Sequence, residues 1–280
     1  MIICRIRNVL ELFLLIYGVM PLLNYGQDYQ KGAVDTEQAI AELVSGETAV
    51  QPGQTIDVAL RLQLDPHWHV YWKNPGDTGL APSIDWEVPD GIEVGELEFP
   101  TPEKIITSTD FVSYGYQGEV FFLAKVTIPE DFGVGQTISL NADASWLACE
   151  QMCIPGGAKL ALELPVSGES ADSSQWGVAL KVARANIPKT PDGAVLTFEA
   201  LESTISASID WAGFNGIDTK SLYFYPEEEG LINSATDQNF VLTDFTLIVS
   251  MQTASNPSSC ADWPTSRMPT SASTISASLT

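Results

Sequence analysis

Basic side chains are scarce in this chain. Lys and Arg number 13 against 36 Asp and Glu, a formal net charge of −23 at pH 7 over 280 residues. Nothing in such a chain would replace the condensed counterions of a nucleic-acid backbone, so a phosphate-backbone partner is excluded. An anionic membrane surface is disfavoured on the same ground. Histidine stops at 2 and cysteine at 4. No nucleophile–His–acid set sits in a recognisable elbow, and no glycine-rich loop has the phosphate-cradling pattern, so a hydrolase has no positive support. Beyond the N-terminus no apolar run is long enough to span a bilayer. What remains is 45% apolar and 9% aromatic, the composition of a folded protein rather than a disordered acidic one.

At the N-terminus, Arg5 and Arg7 precede an apolar run from Val9 to Leu23, interrupted by Glu11 and Gly18, and Gly26 stands before the polar Gln27 and Asp28. A basic start, a short apolar stretch and a small residue at the cut describe a signal peptide over 1–27. Glu11 and Pro21 shorten the uninterrupted stretch below the ~20 residues of a spanning helix. The mature protein is expected to be soluble and exported.

After that segment the chain reads in twos. Ile56, Val58, Leu60, Leu62 and Leu64 alternate with Asp57, Ala59, Arg61 and Gln63; the pattern recurs at Val120–Ile128, Ile138–Ala148 and Leu160–Leu164. Turn clusters punctuate these runs: Gln51-Pro52-Gly53, Asn74-Pro75-Gly76-Asp77, Pro89-Asp90-Gly91 and Pro155-Gly156-Gly157. Short strands, each with one apolar face, predict an all-β antiparallel sandwich over 38–166. A linker and a short helix, Gln175–Asn186, follow, then a smaller β-rich region with strands expected at Val195–Leu201, Thr204–Trp211, Ser221–Tyr225 and Phe240–Val249, the whole spanning 167–249. From residue 250 to 280 Ser, Thr, Ala and Pro dominate, and the segment reads as a disordered tail whose abrupt change of character suggests a truncated or frame-shifted end.

Cys4 falls in the signal segment and Cys260 in the tail, which leaves Cys149 and Cys153. Parity turns Cys149 away from the main apolar face and puts Cys153 in the turn that follows. A pair with three residues between them at a hairpin end can approach within the ~4.4–6.8 Å that a disulfide needs, and export favours the oxidised form. Closing so short a loop stabilises by only ~2 kcal/mol, which argues against a staple and for a pair that opens and closes. Three readings stand side by side here: redox exchange, structural staple and metal site. The last draws on His67 and His69, expected to share one strand face, which with the cysteines could supply a Cys₂His₂ set for zinc or a soft site for copper.

The segment Trp146-Leu147-Ala148-Cys149-Glu150-Gln151-Met152-Cys153-Ile154-Pro155-Gly156, with Trp68-His69-Val70-Tyr71-Trp72-Lys73-Asn74-Pro75-Gly76-Asp77 upstream, resembles the N-terminal periplasmic domain of DsbD-type thiol:disulfide interchange proteins. The likeness is greater to the suppressor-of-copper-sensitivity (ScsB-like) branch, and runs from about residue 40 to about 235. The resemblance implies an immunoglobulin-like domain whose cysteine pair, here Cys149 and Cys153, receives electrons from membrane-embedded and thioredoxin-like domains. It then passes them to a periplasmic disulfide isomerase or reductase. It also implies a cap loop over the pair, matched by Phe111, Ser113, Tyr114 and Tyr116. The better-known members of that family carry five residues between the cysteines and a phenylalanine in the cap, at the place Ser113 takes here.

The expectation is therefore a periplasmic β-sandwich exchange module, a protein-disulfide reductase if it is an enzyme at all. It would work without organic cofactor or metal and, as a fragment or stand-alone module, draw on an electron donor supplied in trans. The competing expectation is a copper- or zinc-binding sandwich that uses the cysteines with His67 or His69.

Overall fold

The structure is a computed structural model that describes residues 28–108, 111–201, 203–214 and 217–254. The expected signal peptide, Cys4, Cys260 and the tail beyond 254 lie outside the described residues. In chain order the strands are β1 (Gln30–Lys31), β2 (Val34–Asp35), β3 (Ala39–Ser45), β4 (Thr55–Leu64), β5 (His69–Gly76), β6 (Ser83–Glu87), β7 (Glu93–Val94), β8 (Glu103–Ser108), β9 (Phe111–Gln117), β10 (Glu119–Thr127), β11 (Thr137–Cys149) and β12 (Cys153–Pro165). After helix α1 (Gly177–Asn186) come β13 (Val195–Leu201), β14 (Thr204–Asp210), β15 (Asn239–Thr243) and β16 (Thr246–Gln252).

Two sheets form an all-β, immunoglobulin-like sandwich. One has the order β1-β12-β11-β5-β9-β8, with β6 also on β11; the other runs β2-β3-β4-β10-β7. The period-two residues meet between them: Val58, Leu60 and Leu62 of β4 and Phe122 of β10 pack against Leu140, Ala142, Trp146 and Ala148 of β11 and Val70 and Trp72 of β5. Strand sterics explain the choice, because alternate side chains point to opposite faces and only one face of β4 or β11 is apolar throughout. On the outer face of the second sheet, α1 buries Leu180 and Ala183 against Val44, Ala59 and Leu123. Arg184 fastens it by gripping the Asp57 carboxylate with two nitrogens, at 3.0 and 2.5 Å.

The later region forms its own four-stranded sheet, β13-β14-β16-β15. Three expectations change here. Phe240–Val249 is a hairpin rather than one strand, folded at Asp244, which takes φ 48°. This is the positive φ that a two-residue hairpin turn requires. The second strand then continues through Ser250, Met251 and Gln252, with Met251 buried against the small core, so the expected disordered tail does not begin at 250. Ser221–Tyr225 is no strand either. The backbone of Phe224 is satisfied by the Gln238 side chain, whose Oε1 accepts from Phe224 N–H and whose Nε2 donates to its carbonyl. The segment is an extended strap between two cores: Phe224 enters the small one, while Tyr225 joins the sandwich core.

Tyr223 and Tyr225 of the strap cluster with Tyr114 of β9, ring centroids 4.6 to 6.0 Å apart. Burial raises all three phenols, and the neighbouring tyrosines add to this for Tyr223 and Tyr225; Tyr225 is pushed from 10.0 to about 12. A group whose folded pKa exceeds its unfolded one contributes stability that is complete below the unfolded value and lost as pH rises through the folded value. Unfolding free energy is therefore expected to hold up to about pH 10 and fall steeply between about 10 and 12. Urea titrations across that range, with tyrosinate absorbance followed in parallel, check it.

Candidate functional site: a shielded disulfide at a hairpin end

Strands β11 and β12 run antiparallel in unbroken register from Thr137↔Pro165 to Cys149↔Cys153. The loop Glu150-Gln151-Met152 closes the hairpin, so the two cysteines face each other across its last rung and are joined by a disulfide with Cα atoms 4.1 Å apart. The pair is asymmetric. Cys149 is 3% exposed, whereas Cys153 is exposed. Parity does direct Cys149 away from the sandwich core, but that outer face is itself covered.

The cover is Tyr71. On β5 it alternates with the core residues Val70 and Trp72, and so lies on the outer face, 1% exposed. Its hydroxyl donates to Cys149 Sγ at 2.8 Å and lies 3.4 Å from Cys153 Sγ. Burial pushes this phenol's pKa up, against the opposing pull of the Ser113 and Thr78 hydroxyls, so it remains a donor at neutral pH. Gly79 makes room for the side chain and Gly115 for the backbone that carries it. A Cβ on Gly79 would lie 2.4 Å from the Tyr71 ring, and one on Gly115, the cross-strand partner of Tyr71, 2.1 Å from the Val70 carbonyl. Nothing in the period-two pattern marks Tyr71; the glycine at 79, which takes φ +133°, stands where a bulky ring lies against the backbone.

Of the four expected cap residues, only Ser113 is brought beside the shield. Tyr114 and Tyr116 alternate inward, Tyr114 to the tyrosine cluster and Tyr116 to donate to the Pro100 carbonyl at 2.7 Å. Phe111 is 50% exposed at the start of β9. The aromatic whose hydroxyl lies on the sulfurs comes from β5, the strand paired with the one that carries Ser113.

The Asn-Pro-Gly-Asp segment has a mechanical role. Asp77 holds the start of β9, accepting from Val112 N–H at 2.8 Å through Oδ2 and donating its own N–H to the Val112 carbonyl. Buried Asn74 holds the strap: Nδ2 donates to the Pro226 and Glu228 carbonyls at 2.7 and 3.2 Å, while Oδ1 accepts from Gly76 N–H. Lys73 adds an ion pair with Glu227. Asn74→Ala is expected to cost ~2–3 kcal/mol, because the buried Pro226 carbonyl loses its donor. It should also loosen the strap first, so limited proteolysis near 222–230 accelerates before global unfolding in urea shifts.

The two histidines part company. His67 is not on a strand: Asp65-Pro66-His67-Trp68 is a turn closed by Trp68 N–H to the Asp65 carbonyl, with His67 exposed at φ 75°. Pro at the second place and a positive φ at the third are the type II arrangement. His67 and His69 therefore do not share a face, which corrects that expectation. His69 lies directly opposite Cys149 and is 3% exposed. Its ring is edge-on to Tyr71 at 5.3 Å, and its buried Nε2 has no hydrogen-bond partner. Burial lowers its pKa. Among the described residues no group of three or more His, Cys, Asp or Glu is placed to hold a metal ion.

Residues 40–165 match the family model for "Thiol:disulfide interchange protein DsbD, N-terminal". The resemblance borne by the cysteine hairpin and the Asn-Pro-Gly-Asp segment thus holds over that stretch. The fold is similar to the crystal structure of the N-terminal periplasmic domain of ScsB from Proteus mirabilis, with a TM-score of 0.53 and 21% identity over 79% of this chain and 83% of that one. That coverage is more than 40–165 alone can supply, so the shared fold extends into the later β region. No curated protein sequence matches the chain. Among the described residues no helix is long and apolar enough to cross a membrane.

Proposed function

We propose that this DsbD N-terminal-type domain is a periplasmic exchange module whose Cys149–Cys153 pair passes reducing equivalents between a thioredoxin-like donor and a disulfide-bearing acceptor. The observation that carries it is the asymmetry of the pair, one sulfur buried under a hydroxyl donor and the other at the surface. An incoming thiolate attacks Cys153 Sγ; the S–S bond breaks and its electrons go to Cys149 Sγ, which leaves as thiolate beneath Tyr71. A donor hydroxyl aimed at a leaving thiolate lowers its basicity and speeds departure. The partner's second thiolate then attacks the partner's own sulfur in the mixed disulfide and releases Cys153. Met152, next to Cys153 in the hairpin loop, is 72% exposed, and Leu80, next to Gly79 against the Tyr71 ring, is 67% exposed. Such side chains suit contact with a docking protein.

The unit that exchanges is the sandwich over 38–166; the region 167–249 braces it through the strap. Export follows from the signal-type segment over 1–27. Neither step requires a cofactor. The test is the reduction potential of the pair, by equilibration of the purified protein with glutathione buffers. A value of ~−180 to −270 mV, the span of exchange proteins, is expected. A value below about −300 mV, or no reduction without unfolding, would make the pair a staple and end this reading.

A further inference from the structure

We infer that His69 holds the proton that accompanies opening of the disulfide, so that the buried Cys149 thiolate forms against an imidazolium. This rests on the exchange reading above. His69 is the β5 residue in register with Cys149, and residues directly opposite in an antiparallel pair project on the same face with Cβ atoms ~4.5–5.5 Å apart. Its ring meets Tyr71 edge-on at 5.3 Å, and the Tyr71 hydroxyl lies on both sulfurs. In the oxidised protein its Nε2 is buried with no partner. A buried polar atom without a partner is costly and is kept for a reason more often than not. Here opening of the disulfide would supply the missing partner, a negative sulfur at the neighbouring position.

Among the described residues on its own strand and in register with it, none rivals it for the role. On its own strand the titratable residues of the same parity are Tyr71, a phenol held protonated by burial, and Lys73, which is paired with Glu227. On β9 the residues opposite His69 and Tyr71 are Gln117 and Gly115, which do not titrate. Towards the hairpin stand the two cysteines, with Glu150 exposed in the loop beyond. Burial keeps the imidazole neutral while the disulfide is intact. An adjacent thiolate favours the charged form and reverses that preference.

The step balances. The partner's thiol releases its proton to water on becoming the attacking thiolate. As the S–Cys153 bond forms and the electron pair of the broken S–S bond settles on Cys149, one proton from water is taken up at His69. Cys153, released by the second attack, takes up the other, so the partner's two protons and two electrons arrive together. In the reverse direction His69 returns its proton as Cys149 Sγ attacks Cys153 Sγ to reclose the pair.

The experiment is a titration of both imidazoles by NMR on the intact protein, oxidised and then reduced with dithiothreitol, with exposed His67 as internal reference. On reduction the His69 midpoint is expected to rise by a unit or more, a tenfold gain in proton affinity, while His67 stays put. The rate of reduction by dithiothreitol should show a pH inflection that disappears in His69→Gln. A His69 midpoint unchanged between the two states, or a His69→Gln profile like the parent's, overturns the inference and leaves the exchange reading standing. A pair that cannot be reduced in the folded protein overturns both.

Discussion

Cys149→Ser is expected to turn the protein into a covalent trap, and Cys153→Ser to abolish exchange outright. With Cys149 gone, the exposed Cys153 thiolate can attack a partner's disulfide but nothing beside it can resolve the product, so a mixed disulfide accumulates. With Cys153 gone, the remaining sulfur is 3% exposed beneath Tyr71, and a protein-borne disulfide cannot reach it. Both variants lose the same five-residue loop closure, ~2 kcal/mol in the chain-entropy account. Any difference between them is therefore chemical rather than a matter of stability. Incubation with an oxidised thioredoxin-fold protein, followed by non-reducing electrophoresis, reads the outcome: a cross-linked band for Cys149→Ser and none for Cys153→Ser. Equal trapping by both would mean that the buried sulfur is reached as readily as the exposed one, and the proposed order of attack would be wrong. Alkylation of the reduced parent offers an independent check, with Cys153 modified far faster than Cys149.

How much of this was legible beforehand depends on whether a strand buries one face or two. Strand β11 buries one face in the sandwich core and reads as clean alternation, Ala142-Ala144-Trp146-Ala148; β4 reads the same way, Val58-Leu60-Leu62, because its outer face, covered in part by α1, still carries Asp57, Arg61 and Gln63. The cysteine hairpin is the end of β11, so its position followed from the same pattern. Strand β5 is covered on both sides: Val70 and Trp72 face the core, while His69 and Tyr71 are buried on the outer face. An alternating pattern vanishes when both parities are buried, and what remains is an aromatic run that resembles packing. The site lies on that outer face, which is why Tyr71 was invisible. Extrapolating the strand back to His67 failed for a local reason, since Asp65-Pro66 starts a turn. The strap at 222–226 misled in the opposite direction. Tyr223, Phe224 and Tyr225 alternate like a strand because they enter two different cores, yet a glutamine side chain takes the place of a neighbouring strand.

Tyr71 makes two contributions to the pair, and substitutions that separate them should move exchange in opposite directions. Tyr71→Phe keeps the ring against Gly79 and removes only the hydroxyl that lies on both sulfurs. The leaving thiolate of Cys149 then departs without its donor. A hydrogen bond to a charged group contributes ~1.5–3 kcal/mol, and with charge only partly developed in the transition state the loss should appear as roughly tenfold slower reduction. Fold stability should fall by no more than ~1–2 kcal/mol, mostly from leaving the Ser113 and Thr78 hydroxyls unmatched. Tyr71→Ala removes the shield itself. It opens a cavity among largely buried residues, at a cost of ~3–5 kcal/mol as for other aromatic truncations. It also uncovers the Cys149 sulfur, so reduction by a small thiol should become faster than in the parent even as the protein becomes less stable. Stopped-flow reduction by dithiothreitol, with urea unfolding alongside, distinguishes the cases. If Tyr71→Phe and Tyr71→Ala both slow the reaction, the ring is not a barrier to approach and the hydroxyl is all that matters. If both accelerate it, the hydroxyl gives the leaving sulfur no help, and Tyr71 serves only to keep stray thiols away until a docked partner displaces the cover.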